Sequence, residues 1–251
     1  MEYTYHNDPS EGLQRLHIQR DFDPASPRED DGIIGTMFCM HSRYSLGDDT
    51  GLKNTLDMKY AMLRDADIPV KKVFDAAKKG SLKCCKLSYD RHCRKWDLVA
   101  TLSRGNGSEG LCFSESSLEF LEDELMTNVL VADIEEISEG RLVALPVYLI
   151  DHSGITLSTT PFQDRWDSGQ AGWIWTTKEK ACRVTGRKDV SCEELKSSLE
   201  TEVRHYSQYL TADVYGYIVE TYENGKWEFT DSCWECYPET LEPLKELSDE
   251  A

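Results

Sequence analysis

At 251 residues the chain can bury a sizeable core in one domain, or carry one domain plus an insertion, and 39% hydrophobic content with 10% aromatics excludes general disorder. Asp and Glu number 46 against 28 Lys and Arg, a net charge of -18 that opposes contact of the acidic body with nucleic acid or anionic lipid and attracts a basic partner. No run reaches the length of a membrane span, the N-terminus lacks the basic and apolar regions of a signal peptide, and the nine cysteines keep no framework spacing, so we expect a cytoplasmic protein with reduced thiols.

Residues 1–13 are polar and read as loose. Alternation of Leu16, Ile18, Arg20 and Phe22 against His17, Gln19 and Asp21 predicts a first strand, and the apolar run from Ile33 to Met40 predicts a second. Over residues 49–130 the period moves toward 3.6. Leu52, Leu56, Tyr60 and Leu63 share one helical face, and Val70, Val73, Phe74 and Ala77 share another that stops at Gly80. Ser116 and Glu119 have the spacing of a capping box, opening a helix with Leu118, Leu121, Leu125 and Val129 inside. This region reads as a mostly helical insertion between two strands of a sheet.

Residues 142–150 are almost wholly apolar, with Pro146 the one misfit, and suit a strand buried on both faces. The polar quartet Asp151-His152-Ser153-Gly154 turns the chain, and Asp167-Ser168-Gly169 makes a second turn into Trp173-Ile174-Trp175, so the stretch reads as a core hairpin. Thr177 to Gly186 is a short helix. Ser191 and Glu194 form a second capping box ahead of Leu195, Leu199, Val203, Tyr206 and Leu210, the strongest amphipathic pattern in the chain. Glu223-Asn224-Gly225-Lys226 carries a type I′ signature between Val214–Tyr222 and Trp227–Asp231. The fold class expected is therefore α+β: a mainly antiparallel sheet packed by helices, with a core domain from residues 1–48 and 131–238, the insertion at 49–130 and an acidic tail at 239–251.

Charge divides the insertion in two. Residues 52–104 hold thirteen Lys or Arg against six Asp or Glu, whereas residues 105–140 hold ten acids and no Lys or Arg. Lys71, Lys72, Lys78 and Lys79 belong to the one credible nucleic-acid surface, although a solvated helix face is the better account of them. Glu115, Glu119, Glu122, Asp123, Glu124, Glu135 and Glu136 belong to an acidic face able to imitate the phosphates of duplex DNA, about one charge per 1.7 Å of axis. Against that, most acidic surfaces serve only solubility.

Several motifs recur in a fixed order: Met37-x-Cys39-x-His41-x-Arg43-Tyr44-x-Leu46-Gly47-Asp48, then Asp151-His152-Ser153-Gly154-Ile155-Thr156, Trp166-Asp167-Ser168-Gly169-Gln170-x-Gly172, Val214-Tyr215-Gly216 and Asp231-Ser232-Cys233-Trp234. On these residues the two ends of the chain, roughly 14–48 and 142–236, resemble a family of bacteriophage and mobile-element proteins. The chain departs from the family pattern in its longer, more basic middle and at Glu235-Cys236. The resemblance implies no activity. Its context raises an anti-defence role, anti-CRISPR or antirestriction, by analogy.

The enzymatic alternative pairs Cys39 or Ser153 as nucleophile with His41 or His152 as base and Asp151 or Asp167 as orienter. Turn formation and core packing compete for the same residues. Trp166, Trp173, Trp175, Tyr215, Tyr217, Trp227 and Trp234 have no basic neighbours within their own segments, which favours an aromatic core over a base-stacking platform. Cys233 and Cys236 lack the further ligands that complete a zinc site, and Cys84, Cys85, His92 and Cys93 suit burial better than coordination. We expect neither metal nor cofactor. The function expected is inhibition of a host defence protein or ribonucleoprotein through acidic surface, with a hydrolase or a nucleic-acid-binding module seated on residues 71–95 as alternatives.

Overall fold

The structure is a computed structural model that describes residues 2–5, 13–104, 107–152, 154–164 and 166–239. The chain runs β1 (Glu2–Tyr5), β2 (Gln14–Arg20), β3 (Thr36–Cys39), α1 (Thr55–Asp65), α2 (Val70–Lys79), β4 (Cys85–Asp90), β5 (Lys95–Arg104), β6 (Gly107–Glu115), α3 (Glu122–Asn128) and α4 (Val131–Ile137). It continues through β7 (Leu142–Asp151), β8 (Ile155–Ser158), β9 (Ser168–Thr177), α5 (Lys178–Thr185), α6 (Cys192–Leu210), β10 (Tyr215–Glu223) and β11 (Lys226–Cys236), with 3-10 turns at Pro27–Glu29 and Leu118–Leu121. Helices and antiparallel strands share the chain, so the fold class is α+β. Contacts divide it into a first unit, Met1–Ile33, Tyr148–Gln170 and Thr201–Ala251, and a second, Ile34–Val147 and Ala171–Glu200. The expected boundaries at 48/49 and 130/131 do not coincide with this division.

The second unit is built on a continuous apolar core. Met58, Met62, Leu98, Leu121, Leu125, Met126 and Ile134 are shut off from solvent together with Phe38, Leu142, Ala144 and Trp175. Each fully buried Leu, Ile or Met stabilises by about 1.5–3 kcal/mol relative to exposure. Because Phe38, Leu142 and Trp175 share this core with α1 to α4, residues 49–130 do not form a core of their own. Nor are they mostly helical: β4, β5 and β6 form a three-stranded antiparallel sheet, with Leu87 opposite Leu98 and Cys85 opposite Ala100 on its buried side. The alternation is there in the sequence, Cys85, Leu87, Leu98 and Ala100 facing inward while Lys86, Ser88 and Thr101 point to water.

Local signals explain the helices. Asn54 caps α1 by accepting from the Asp57 N–H, Gly80 closes α2 in the left-handed conformation, and Thr177 and Gly186 bracket α5. Ser191 and Glu194 form the reciprocal capping box of α6, with bonds of 3.2 Å and 2.8 Å. The other expected box is shifted. Ser117, one residue on, accepts from the Glu119 N–H, and a 3-10 turn precedes α3 in place of one longer helix starting at Ser116. Gly172 lets β9 pair closely with β3, because a Cβ there would collide with the backbone of Phe38 and Cys39.

In the first unit, β1, β2, β10 and β11 form an antiparallel sheet in that order. Residues 2–5 are thus a strand, although their polarity reads as loose chain; those at 6–12 lie outside the described residues, as does the tail beyond Glu239. Leu16, Ile18 and Cys236 form a buried cluster with Tyr215, Tyr217 and Val219 around it. Strand β2 ends at Arg20, and Phe22, expected on its buried face, is 90% exposed. Asn224 and Gly225 both have positive φ, the geometry a type I′ turn needs, and they join β10 to β11. Strand β11 carries extra residues at Thr230 and around Trp234 and Glu235, where the pairing register slips. β7 and β8 make the expected turn, with Asp151 opposite Ile155. Ser168, by contrast, lies in β9 and not in the expected turn.

Candidate functional site

The acidic run of the second unit unfolds into two populations. Asp133 is buried: its carboxylate accepts from the N–H groups of Lys83 (3.2 Å) and Leu130 (3.3 Å) and fastens the start of α4. Glu135 accepts from the Ala144 N–H at 3.0 Å, and Glu122 and Asp123 both accept from the Tyr60 hydroxyl, at 3.3 and 2.9 Å. Burial, reinforced by those two carboxylates, pushes the Tyr60 phenol well above its ordinary range. These acids serve the fold. Glu109, Glu115, Glu119, Glu136 and Glu139 are exposed, on β6, the 3-10 turn, α4 and the turn that follows; Asp123 is exposed as well as bonded to Tyr60, and Glu124 is half-buried on α3.

The four lysines sit on α2 and are exposed. They do not form an unopposed basic face. Lys72 and Lys79 line a cleft of about 430 Å3 together with Asp75, Glu136 and Glu139, and Lys78 pairs with Asp75 at 3.7 Å while lying 5.1 Å from the Trp96 ring. Lys71 is exposed beside them. The basic and acidic stretches that the sequence separates therefore line one cleft. The buried Lys59 acts within the fold, where its ammonium donates to the carbonyls of Met126 and Thr127 at the end of α3, and burial holds its pKa below the usual lysine range.

The expected catalytic residues are distributed over both units. Cys39 ends β3, half-buried, and His41 stacks on Tyr44 at 5.1 Å between ring centres and accepts from the Arg43 N–H. His152 and Asp167 belong to the first unit, where Nδ1 of His152 lies 3.4 Å from Oδ2 of Asp167, both side chains largely in water. Ser153 lies outside the described residues. Cys236 is buried and its thiol, like that of Cys233, donates to the Trp234 carbonyl; burial first and then the neighbouring Cys233 push the Cys236 thiol up to about 12. Among the described residues no group of three or more His, Cys, Asp or Glu is placed to hold a metal ion, and no helix is long and apolar enough to cross a membrane.

One surface escapes a reading of the sequence. On β2, Arg15 and His17 stand opposite Glu220 and Ile218 of β10, and Phe229 stands opposite Glu220 from β11. Residues directly opposite in antiparallel strands project to the same side. Glu220 accepts from Arg15 Nε at 2.6 Å and pairs with His17 Nε2 at 2.9 Å, and the Arg15 bond above all holds its carboxyl below the usual range. The Arg15 guanidinium also lies 4.5 Å from the Trp227 ring, which meets Tyr222 edge-on at 5.2 Å. Trp234 lies over Gly216, at a spot a Cβ would fill. Trp227 does have a cationic neighbour, Arg15, brought from β2 some two hundred positions away, and a segment-by-segment search cannot find it.

Comparisons with protein-family models, with curated proteins and with solved structures found no match.

Proposed function

We propose that the chain is a non-enzymatic inhibitor that works in the cytoplasm of a bacterial host, occupying a basic surface on a defence complex that handles nucleic acid. The observation that carries the reading is the set of exposed carboxylates at Glu109, Glu115, Glu119, Glu136 and Glu139, contributed by successive elements of one unit from a stretch that holds no Lys or Arg. The resemblance to phage and mobile-element proteins supplies the context, and nine free cysteines suit a reducing compartment. Carboxylates of this kind raise the encounter rate with a positively lined cleft and lose their pull as salt screens them over about 8 Å at physiological ionic strength.

The hydrogen bonds decide which residues to change. Reversing Glu122 and Asp123 would strip Tyr60 of its acceptors, so loss of binding there would not separate surface from fold. The combined variant Glu115→Lys, Glu119→Lys, Glu136→Lys and Glu139→Lys alters exposed positions only. Capture of a host complex from lysate at low salt should be abolished in this variant and weakened at high salt in the original. Capture that survives both changes overturns the reading. A second reading, a hydrolase, rests on the His152–Asp167 contact and is tested by His152→Ala with activity and thermal unfolding measured side by side.

A further inference from the structure

The outer face of the four-stranded sheet in the first unit is the surface the acidic-inhibitor reading leaves unused. Phe229 is 67% exposed, and Tyr222 and Trp234 are each 44% exposed. Together with the half-buried Trp227 they set four aromatic rings on one hairpin. Large exposed aromatics gathered on one face mark a contact surface. The only carboxylate among the described side chains that the register puts between these rings and β2 is Glu220, and it is already engaged by Arg15 and His17.

Three occupants compete for such a face. Single-stranded nucleic acid would stack on the rings, but its affinity rests largely on phosphate neutralisation, and here the Arg15 guanidinium is held by Glu220 within a molecule of charge -18. A second copy would bring the same -18 against itself. A basic, extended protein segment is drawn by the net field and meets rings whose faces attract guanidinium and ammonium groups. Arg15 over Trp227 already shows this mode of contact within the chain. We propose that this face binds an arginine- or lysine-bearing extended segment of a partner protein, with Phe229 and Trp234 as the principal ring platforms and Trp227 as the rim already primed by Arg15. Strand β11 is bulged twice, so the segment lies across the rings and does not join the sheet as a fifth strand.

The proposal stands apart from the acidic run, which lies in the other unit, and one experiment separates the two. The full chain is titrated with a blocked Arg-Ser repeat octapeptide at about 0.3 M salt, where long-range attraction is screened to within about 6 Å, while the indole N–H signals of Trp227 and Trp234 are followed by NMR. Both signals should move. Phe229→Ala removes a side chain that is two-thirds exposed and so leaves the fold intact; with Trp234→Ala added, the affinity read at Trp227 should fall about tenfold, since each ring contact is worth roughly 0.5–1 kcal/mol. The Glu115, Glu119, Glu136 and Glu139 reversal should keep the indole response even as it loses the host complex. Indoles that stay still with the peptide, or that move with an oligothymidylate and not with the peptide, would overturn the proposal.

Discussion

The two units hold themselves together differently. In the second, a continuous set of buried apolar side chains from α1, α2, α3, α4, β4 and β5 supplies the cohesion, and its ion pairs, such as Arg187 with Glu194, join near neighbours on the surface. In the first, polar groups far apart in sequence are matched: Arg28 with Glu202, Arg15 and His17 with Glu220, Arg204 and His205 with Glu239. The first unit is stitched from three separate stretches of chain, and directional contacts select which stretches meet where apolar burial would accept many pairings.

That contrast can be broken by substitution. The largest effect should come from Arg28→Met, which takes from the largely buried Glu202 carboxylate its Arg28 partner and costs about 3–5 kcal/mol; the Arg28→Met, Glu202→Leu double variant should recover most of it. Chemical denaturation of both variants decides, and a double variant as weak as the single would mean that the pair does not organise the unit. In the second unit, Leu125→Ala should cost about 2–5 kcal/mol, with a loss that does not change between low and high salt. Ser191→Ala removes one half of the α6 capping box and should cost about 1 kcal/mol in the same denaturation measurement. The smallest effect is acid titration of Glu239. Burial alone would raise its pKa, but hydrogen bonds from its own backbone, Gln208, Arg204 and His205 bring it down to about 2. A folded value below the ordinary 4.5 means that its stabilisation is complete above that pH and fades as the pH falls through about 2. Glu239→Gln should flatten that part of the pH–stability curve; an unchanged curve would remove Glu239 from the set of groups that fasten the first unit.

Legibility in the sequence follows the range of the interactions. Helices α1, α2, α5 and α6 and the β10–β11 hairpin are readable because caps, glycines and periodicity act within a few residues, as at Asn54, Gly80, Thr177, Ser191 and Asn224. The β4–β6 sheet is hidden because each strand shows only a short alternation, as of Cys85 and Leu87 with Lys86 and Ser88, and the pairing that completes it joins separate stretches of chain. On the candidate surfaces, the acids of residues 109–139 are visible as a run, but nothing local distinguishes Asp133, buried as a helix fastener, from Glu136, exposed on the same helix. The aromatic face is invisible for a further reason: Arg15 and Trp227 meet only because β2 pairs with β10, and no local pattern announces a partner that distant.

The two irregular steps in β11 bear on how the molecule behaves in a crowded solution. A straight outer strand showing Phe229 and Trp234 would template filament growth, one chain docking flush against the next. With the pairing interrupted at Thr230 and again near Glu235, no regular stretch of that border is long enough to nucleate such stacking, so the protein can display sticky rings and remain dispersed.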